Sequence, residues 1–309
     1  MKKILRFILV AIVSILLLAL LFSQIAIPDL VGVFREIQLS YILLGFFVYA
    51  VMNLFRNLRF QALIGREINF WTLFSIVLVH NFYNNILPFR TGELSFFWLM
   101  KKKKIKFHKS LSLLMTARIM DLTSILLIFL VTLFFIRNIP TKIILFRNIL
   151  LLISLLSLFF MAATLTLGKK IIKKSNFKNK YILKIIGALS EVRKEIKNMN
   201  TIQFILAFAY SIAIWLISFF FYIIVIKGAG FTLPVTLIII AATFAIFSTL
   251  LPIQGFLQLG TVEGAWAMGL ILMGISNEIA IYTGFITHLV RILYFSILGL
   301  CGFWWYKNV

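Results

Sequence analysis

Apolar runs of 18 or more residues recur along this chain, and no other feature limits its fold as strongly. A helix rises 1.5 Å per residue, so about 20 residues cross a hydrocarbon core about 30 Å thick. The runs are continuous rather than alternating, which excludes an outer-membrane barrel. Of 309 residues, 62% are hydrophobic and 13% charged, whereas soluble domains average ~45–50% apolar and ~25% charged. That balance excludes a soluble enzyme, a disordered chain and a disulfide-built secreted domain. Cys301 is the single cysteine, and three scattered histidines make no ligand set, so neither a metal nor a cofactor is expected.

The sequence predicts an all-α polytopic membrane protein. Six spanning helices are expected, over residues 7–27, 41–58, 111–136, 148–167, 202–226 and 279–306, together with two re-entrant or broken hairpins. Lys2, Lys3 and Arg6 give the first run the look of a signal peptide. The run is too long for an ordinary h-region and no clear small-x-small site follows it, so the helix is expected to be retained. The first hairpin is Trp71–Leu87, a break at Pro88-Phe89-Arg90-Thr91-Gly92-Glu93, and a short return over Leu94–Met100 before Lys101–Lys104. Seven residues reach only about 10 Å, too short to recross. The second is Val235–Leu251, a break from Pro252 to Gly260, and Thr261–Gly274.

Charge then sets the orientation. A net charge of +22 would suggest nucleic acid in a soluble protein. Here 23 of the 31 Lys and Arg fall in segments that are cytoplasmic if the N-terminus is inside. Five fall outside, and Arg90, Arg118 and Arg291 lie within or beside apolar segments. By the positive-inside rule both termini are cytoplasmic, in the cytoplasmic membrane. The lysine runs are topology determinants that can also hold anionic lipid, and no nucleic-acid partner is expected.

The two breaks share a spacing. Glu93 to Arg118 is 25 residues and to Asp121 is 28; Glu263 to His288 is 25 and to Arg291 is 28. Thr91 and Thr261 correspond at the same offset of 170. Each half reads helix, helix, broken hairpin, helix, the first half starting inside and the second outside. The expectation is a single transmembrane domain, 1–309, built as an inverted-topology repeat. The first repeat is 1–147 and the second 148–309, with a basic cytoplasmic loop at 168–200. Paired, Gly/Pro-interrupted segments of this kind place a transport site at the repeat interface.

Charges at membrane depth supply the candidate site. A charge at the bilayer centre costs about 2.5–3.5 kcal/mol even on the lenient scale, so such residues face the interior and are paired or functional. The candidates are Arg90, Glu93, Arg118, Asp121, Glu263, His288 and Arg291. Arg118 shares a helix face with Asp121, and His288 with Arg291. Two readings stand: internal ion pairs that lock the bundle, or a polar cavity whose guanidiniums hold a phosphate headgroup by bidentate bonds. In the second, the carboxylates are counter-ions or proton carriers. His80, Asn81, Asn84 and Asn85 form a polar stripe on the first hairpin arm, fit for a pore lining or for helix–helix hydrogen bonds. Asn53, Arg56 and Asn57 read mainly as anchors at the cytoplasmic end of the second helix.

At these residues a family resemblance enters. Asn85-Ile86-Leu87-Pro88-Phe89-Arg90-Thr91-Gly92-Glu93 with Arg118-x-x-Asp121, and Pro252…Gly255…Gly260-Thr261-Val262-Glu263 with Arg291, resemble two signatures of the lysylphosphatidylglycerol synthase transmembrane-region family. The second is looser, because Gln254, Phe256, Leu257 and Gln258 stand in the usual glycine-rich loop. The resemblance implies translocation of a lipid, either aminoacylated phosphatidylglycerol or another anionic or polyprenyl-type lipid. It also implies a separate lipid-synthesising enzyme as partner, since the aminoacyl-transferase domain is not in this sequence. A homo-oligomer is compatible with it. The expectation is a lipid flippase and not an enzyme. Its alternatives are a membrane-embedded lipid-modifying enzyme, for which no nucleophile triad or phosphate-cradling loop can be read, and a non-transporting scaffold of a cell-envelope enzyme.

Overall fold

A computed structural model describes residues 12, 15–136, 139–166, 200–249 and 254–308. Most of the first expected span before Ile15, the basic loop at 168–200 up to residue 199, and Pro252 lie outside the described residues. Those that are described form eleven α-helices. In chain order they are α1 (Ile15–Phe22), α2 (Ile27–Glu36), α3 (Leu39–Ile64), α4 (Phe70–Ile86), α5 (Glu93–Lys102), α6 (Phe107–Phe134), α7 (Thr141–Thr166), α8 (Thr201–Gly228), α9 (Val235–Ser248), α10 (Thr261–Ile271) and α11 (Asn277–Asn308). Single 3₁₀ turns, Pro88–Arg90 and Phe256–Gln258, follow α4 and precede α10.

Four described helices, α3, α6, α8 and α11, are long and apolar enough to cross a membrane. Two differences from expectation have clear causes. The chain turns 85° after α1 into α2, because Pro28 opens a new helix whose Asp29, Arg35 and Glu36 keep one side polar while Leu30 is buried. Helix α3 does not stop at residue 58 but runs to Ile64, where Gly65 (φ 73°) ends it. Its polar residues are not at a water boundary: Asn53 and Asn57 are fully buried and Arg59 is 4% exposed.

Helices α3 and α8 pack extensively and antiparallel. Gln38 N–H donates to Gly228 O (3.2 Å) at one end, and Arg59 reaches Ser211 Oγ (3.2 Å) toward the other. A capping box starts α8, with Asn200 Oδ1 accepting from Ile202 N–H and Gln203 accepting from Asn200 N–H.

The first hairpin arm, α4, packs on α11 through two glycines. A Cβ on Gly299 would lie 2.5 Å from Phe82 Cδ2, and one on Gly302 2.7 Å from Leu78 Cβ. Small residues admit this approach where no hydrophobic drive separates helix from lipid. Gly299→Leu is therefore expected to lower stability by ~1–3 kcal/mol through overpacking, read as an earlier melting transition in detergent. An unchanged transition would place α4 further from α11 than it is here.

Candidate functional site

Both hairpins end in the same unusual backbone. Phe89 and Arg90 have φ of 57° and 55°, and Leu257 and Gln258 have φ of 55° and 59°. Left-handed geometry in bulky non-glycine residues costs about 1–2 kcal/mol each, and strain of this kind gathers at ligand sites. Each left-handed pair is closed by a backbone bond, Thr91 N–H to Pro88 O (3.1 Å) and Leu259 N–H to Phe256 O (3.2 Å), and each tip also carries a threonine hydroxyl bonded three residues back. Thr91 Oγ1 donates to Pro88 O (2.8 Å), and Thr261 Oγ1 donates to Gln258 O (2.9 Å). The offset of 170 seen in the sequence recurs in these bonds.

It recurs again in the charged pairs. Arg118 Nη2 donates to Glu93 Oε1 (3.0 Å), and His288 Nδ1 lies 2.7 Å from Glu263 Oε1. The tips meet each other: Phe89 N–H donates to Gln254 O (3.2 Å), and Gln258 Nε2 to Asn84 O (3.4 Å).

Around this junction α3, α4, α6, α8, α9 and α11 close on a cavity of ≈ 130 Å³. Arg90, Arg118, Asp121 and Arg291 all line it, as does the stripe of His80, Asn81, Asn84 and Asn85. Glu93 sits beside it, shared between Arg118 (3.0 Å) and Arg90 (3.6 Å). Glu263 and His288 do not line it. They form a separate buried pair, 0% and 1% exposed, with Glu263 Oε2 and His288 Nε2 lacking a hydrogen-bond partner among the described residues. Asp121 takes a different partner from the residue that shares its helix face. It accepts from Arg59 Nη1 (2.5 Å) and Trp215 Nε1 (2.9 Å), while Arg118 turns to Glu93.

Two arginines in the cavity wall were not among the sequence candidates. Arg56 donates to Asn81 Oδ1 (2.9 Å), and Arg59 holds Asp121. Both read as cytoplasmic because basic residues ending an apolar run normally mark the membrane edge. The available signal was Tyr49, Asn53, Arg56 and Asn57, a polar face at helical spacing that an anchor does not need. Gln258 was also missed: it is the second left-handed residue of its tip, as Arg90 is of the first, and it accepts from Arg291 Nη2 (2.9 Å).

The wall thus carries five guanidiniums. Asp121 neutralises Arg59, and one carboxylate, Glu93, serves both Arg90 and Arg118. Among the described residues Arg56 and Arg291 have no carboxylate partner. Arg291 is held by Gln258 and by Tyr222 OH (3.4 Å) instead. Such a concave excess of one sign concentrates ions of the other, and guanidinium forks suit phosphate or carboxylate oxygens. No group of three or more His, Cys, Asp or Glu able to hold a metal occurs among the described residues.

No curated protein and no solved structure matches the chain. A family model described as "Lysylphosphatidylglycerol synthase TM region" matches residues 6–299. That match covers nearly the whole length, motifs and cavity included, and this multi-pass membrane protein belongs to the lysylphosphatidylglycerol synthase transmembrane-region family.

Proposed function

We propose that this protein is a lipid flippase, without enzymatic chemistry of its own, that carries a phosphate-bearing headgroup through the arginine-lined cavity while the acyl chains stay in lipid. One observation carries the reading: five guanidiniums face a cavity at the junction of two hairpin tips, and among the described residues only Asp121 and Glu93 pair with them. A purely structural set of ion pairs has no need for three uncompensated cations at membrane depth, each costing ~2.5–3.5 kcal/mol or more.

The finer architecture belongs to the same proposal. The chain crosses the cytoplasmic membrane six times with both termini inside, and its halves, 1–147 and 148–309, are inverted repeats. The matched threonine and carboxylate bonds at an offset of 170 support that symmetry. Alternate opening of the two hairpins to opposite leaflets is how such a pair moves cargo. A separate enzyme supplies the lipid.

Reconstituted protein is expected to accelerate headgroup translocation of a labelled phospholipid in proteoliposomes. Arg90→Ala, which removes one phosphate partner, is expected to slow it by ~10–100-fold, the size of one charge-assisted hydrogen bond. Folded protein that accelerates no lipid would overturn the reading. Formation of a chemically altered lipid by purified protein would favour an enzyme instead.

A further inference from the structure

The balance of charge in the cavity says more than that a phosphate fits. Arg59 is spent on Asp121 at 2.5 Å, leaving four guanidiniums in the cavity wall, Arg56, Arg90, Arg118 and Arg291, against Glu93 as the single carboxylate paired with them among the described residues. The excess is three positive charges. The four come from α3, the first tip, α6 and α11, so they surround the space rather than line one wall. Two of them also hold donors in reserve. Arg118 Nε and Arg291 Nε are buried and have no hydrogen-bond partner, and a buried guanidinium N–H without an acceptor is costly.

A phosphodiester headgroup brings one negative charge and would leave two cations uncompensated. An aminoacylated headgroup with two ammonium groups brings a net positive charge and would be repelled. A phosphomonoester carries about −1.5 to −2 near neutral pH and presents three terminal oxygens, enough for several forks at once. We infer that the cargo is a lipid whose headgroup bears two or more negative charges, a terminal phosphomonoester or diphosphate, and that the cavity discriminates against singly charged and cationic lipids. This rests on the transport reading above and narrows it to one substrate class.

The test compares three labelled lipids in vesicles of neutral phosphatidylcholine holding the full chain: phosphatidic acid, phosphatidylglycerol and lysyl-phosphatidylglycerol. Phosphatidic acid is expected to cross about tenfold or more faster than phosphatidylglycerol, the difference one charge-assisted hydrogen bond can make. The lysyl lipid is expected to be slowest. Arg56→Gln and Arg291→Gln should each narrow the ratio of the first two. Equal rates, or the lysyl lipid fastest, overturn the inference and leave transport standing.

Melting in detergent with each short-chain lipid separates the two ideas. A larger rise with phosphatidic acid but no translocation overturns transport alone; no preference in either assay overturns the inference. Uptake of labelled inorganic phosphate by the same vesicles is expected to match protein-free vesicles. Saturable phosphate entry would assign the site to a free anion and overturn the lipid assignment.

Discussion

Asp121→Ala is expected to destabilise the protein by ~3–5 kcal/mol, because it strands a charge. Arg59 is 4% exposed and gives its Nη1 to Asp121 Oδ1 at 2.5 Å and to Ser211 Oγ at 3.2 Å. The same Asp121 oxygen accepts from Trp215 Nε1, so the substitution also takes the partner from a half-buried indole N–H, a further ~1–3 kcal/mol when no water replaces it. The double variant Arg59→Met with Asp121→Leu should recover most of the loss. A buried ion pair and its apolar replacement are often close in stability, while half a pair is not. Recovery should stop short of the parent by the cost of the stranded Trp215. Thermal unfolding in detergent, followed by tryptophan fluorescence, measures all three. An Asp121→Ala protein as stable as the parent would mean that cavity water solvates Arg59 and that the pair locks nothing. Removing both charges leaves the excess of three untouched, so the double variant should keep its lipid preference.

The sequence made the hairpins legible because their signals are local. Pro88 and the Thr91-Gly92-Glu93 step cannot continue an apolar helix, and a return of seven residues before four lysines cannot recross a bilayer. The structure has α4 and α5 on either side of that break. The spacing of 25 residues was legible for a similar reason: a carboxylate and a base that recur at one separation in two places point to a repeated contact. Glu93 and Arg118, and Glu263 and His288, are those contacts.

What the sequence did not carry was which charges share a space. Glu263, on α10, and His288, on α11, have the spacing of their counterparts but do not line the cavity; the Glu263 backbone packs against α11 at Gly284, where an added Cβ would lie 3.1 Å from Glu263 O. Arg56 and Arg59 were hidden by a rule that is right on average: arginines at the end of an apolar run mark the interface. Here α3 runs on to Ile64, and α4, α6 and α8 cover the arginines. Burial by a neighbouring helix leaves no mark on the residues being covered. Gln258 was read as a departure from a family pattern, yet it is the residue that holds Arg291 in place and reaches across to Asn84.

Gly92→Ala is expected to abolish translocation while costing only ~1–2 kcal/mol of stability, and two opposed effects set that outcome. Gly92 has φ −58° and ψ −23°, geometry that any residue adopts, so backbone entropy alone would favour alanine by ~0.4–1 kcal/mol. The added methyl decides against it. Its carbon would lie 2.3 Å from Tyr83 O and 2.4 Å from Asn84 Cα, both backbone atoms that cannot rotate aside. The arms of the first hairpin must part by about 1 Å, at an overpacking cost of ~1–3 kcal/mol. That shift falls between Arg90 and Glu93, so it breaks the 3.0 Å bond to Arg118 and withdraws Arg90 from the cavity. The melting temperature should fall by no more than ~2–4 °C per kcal/mol, the range for domains of about 150–250 residues, while flipping drops to the protein-free rate. Gly264→Ala is the control, one residue past Glu263 in α10, where an added Cβ meets nothing within 4 Å. It is expected to be neutral or to stabilise the helix by up to ~1 kcal/mol. If both variants flip lipid at the parent rate, the tight closure of the first tip is not what positions Arg90. If only Gly92→Ala fails, two hairpins alike in backbone differ in how far their arms can move. The first would then be the fixed element of the site, leaving the second free to open.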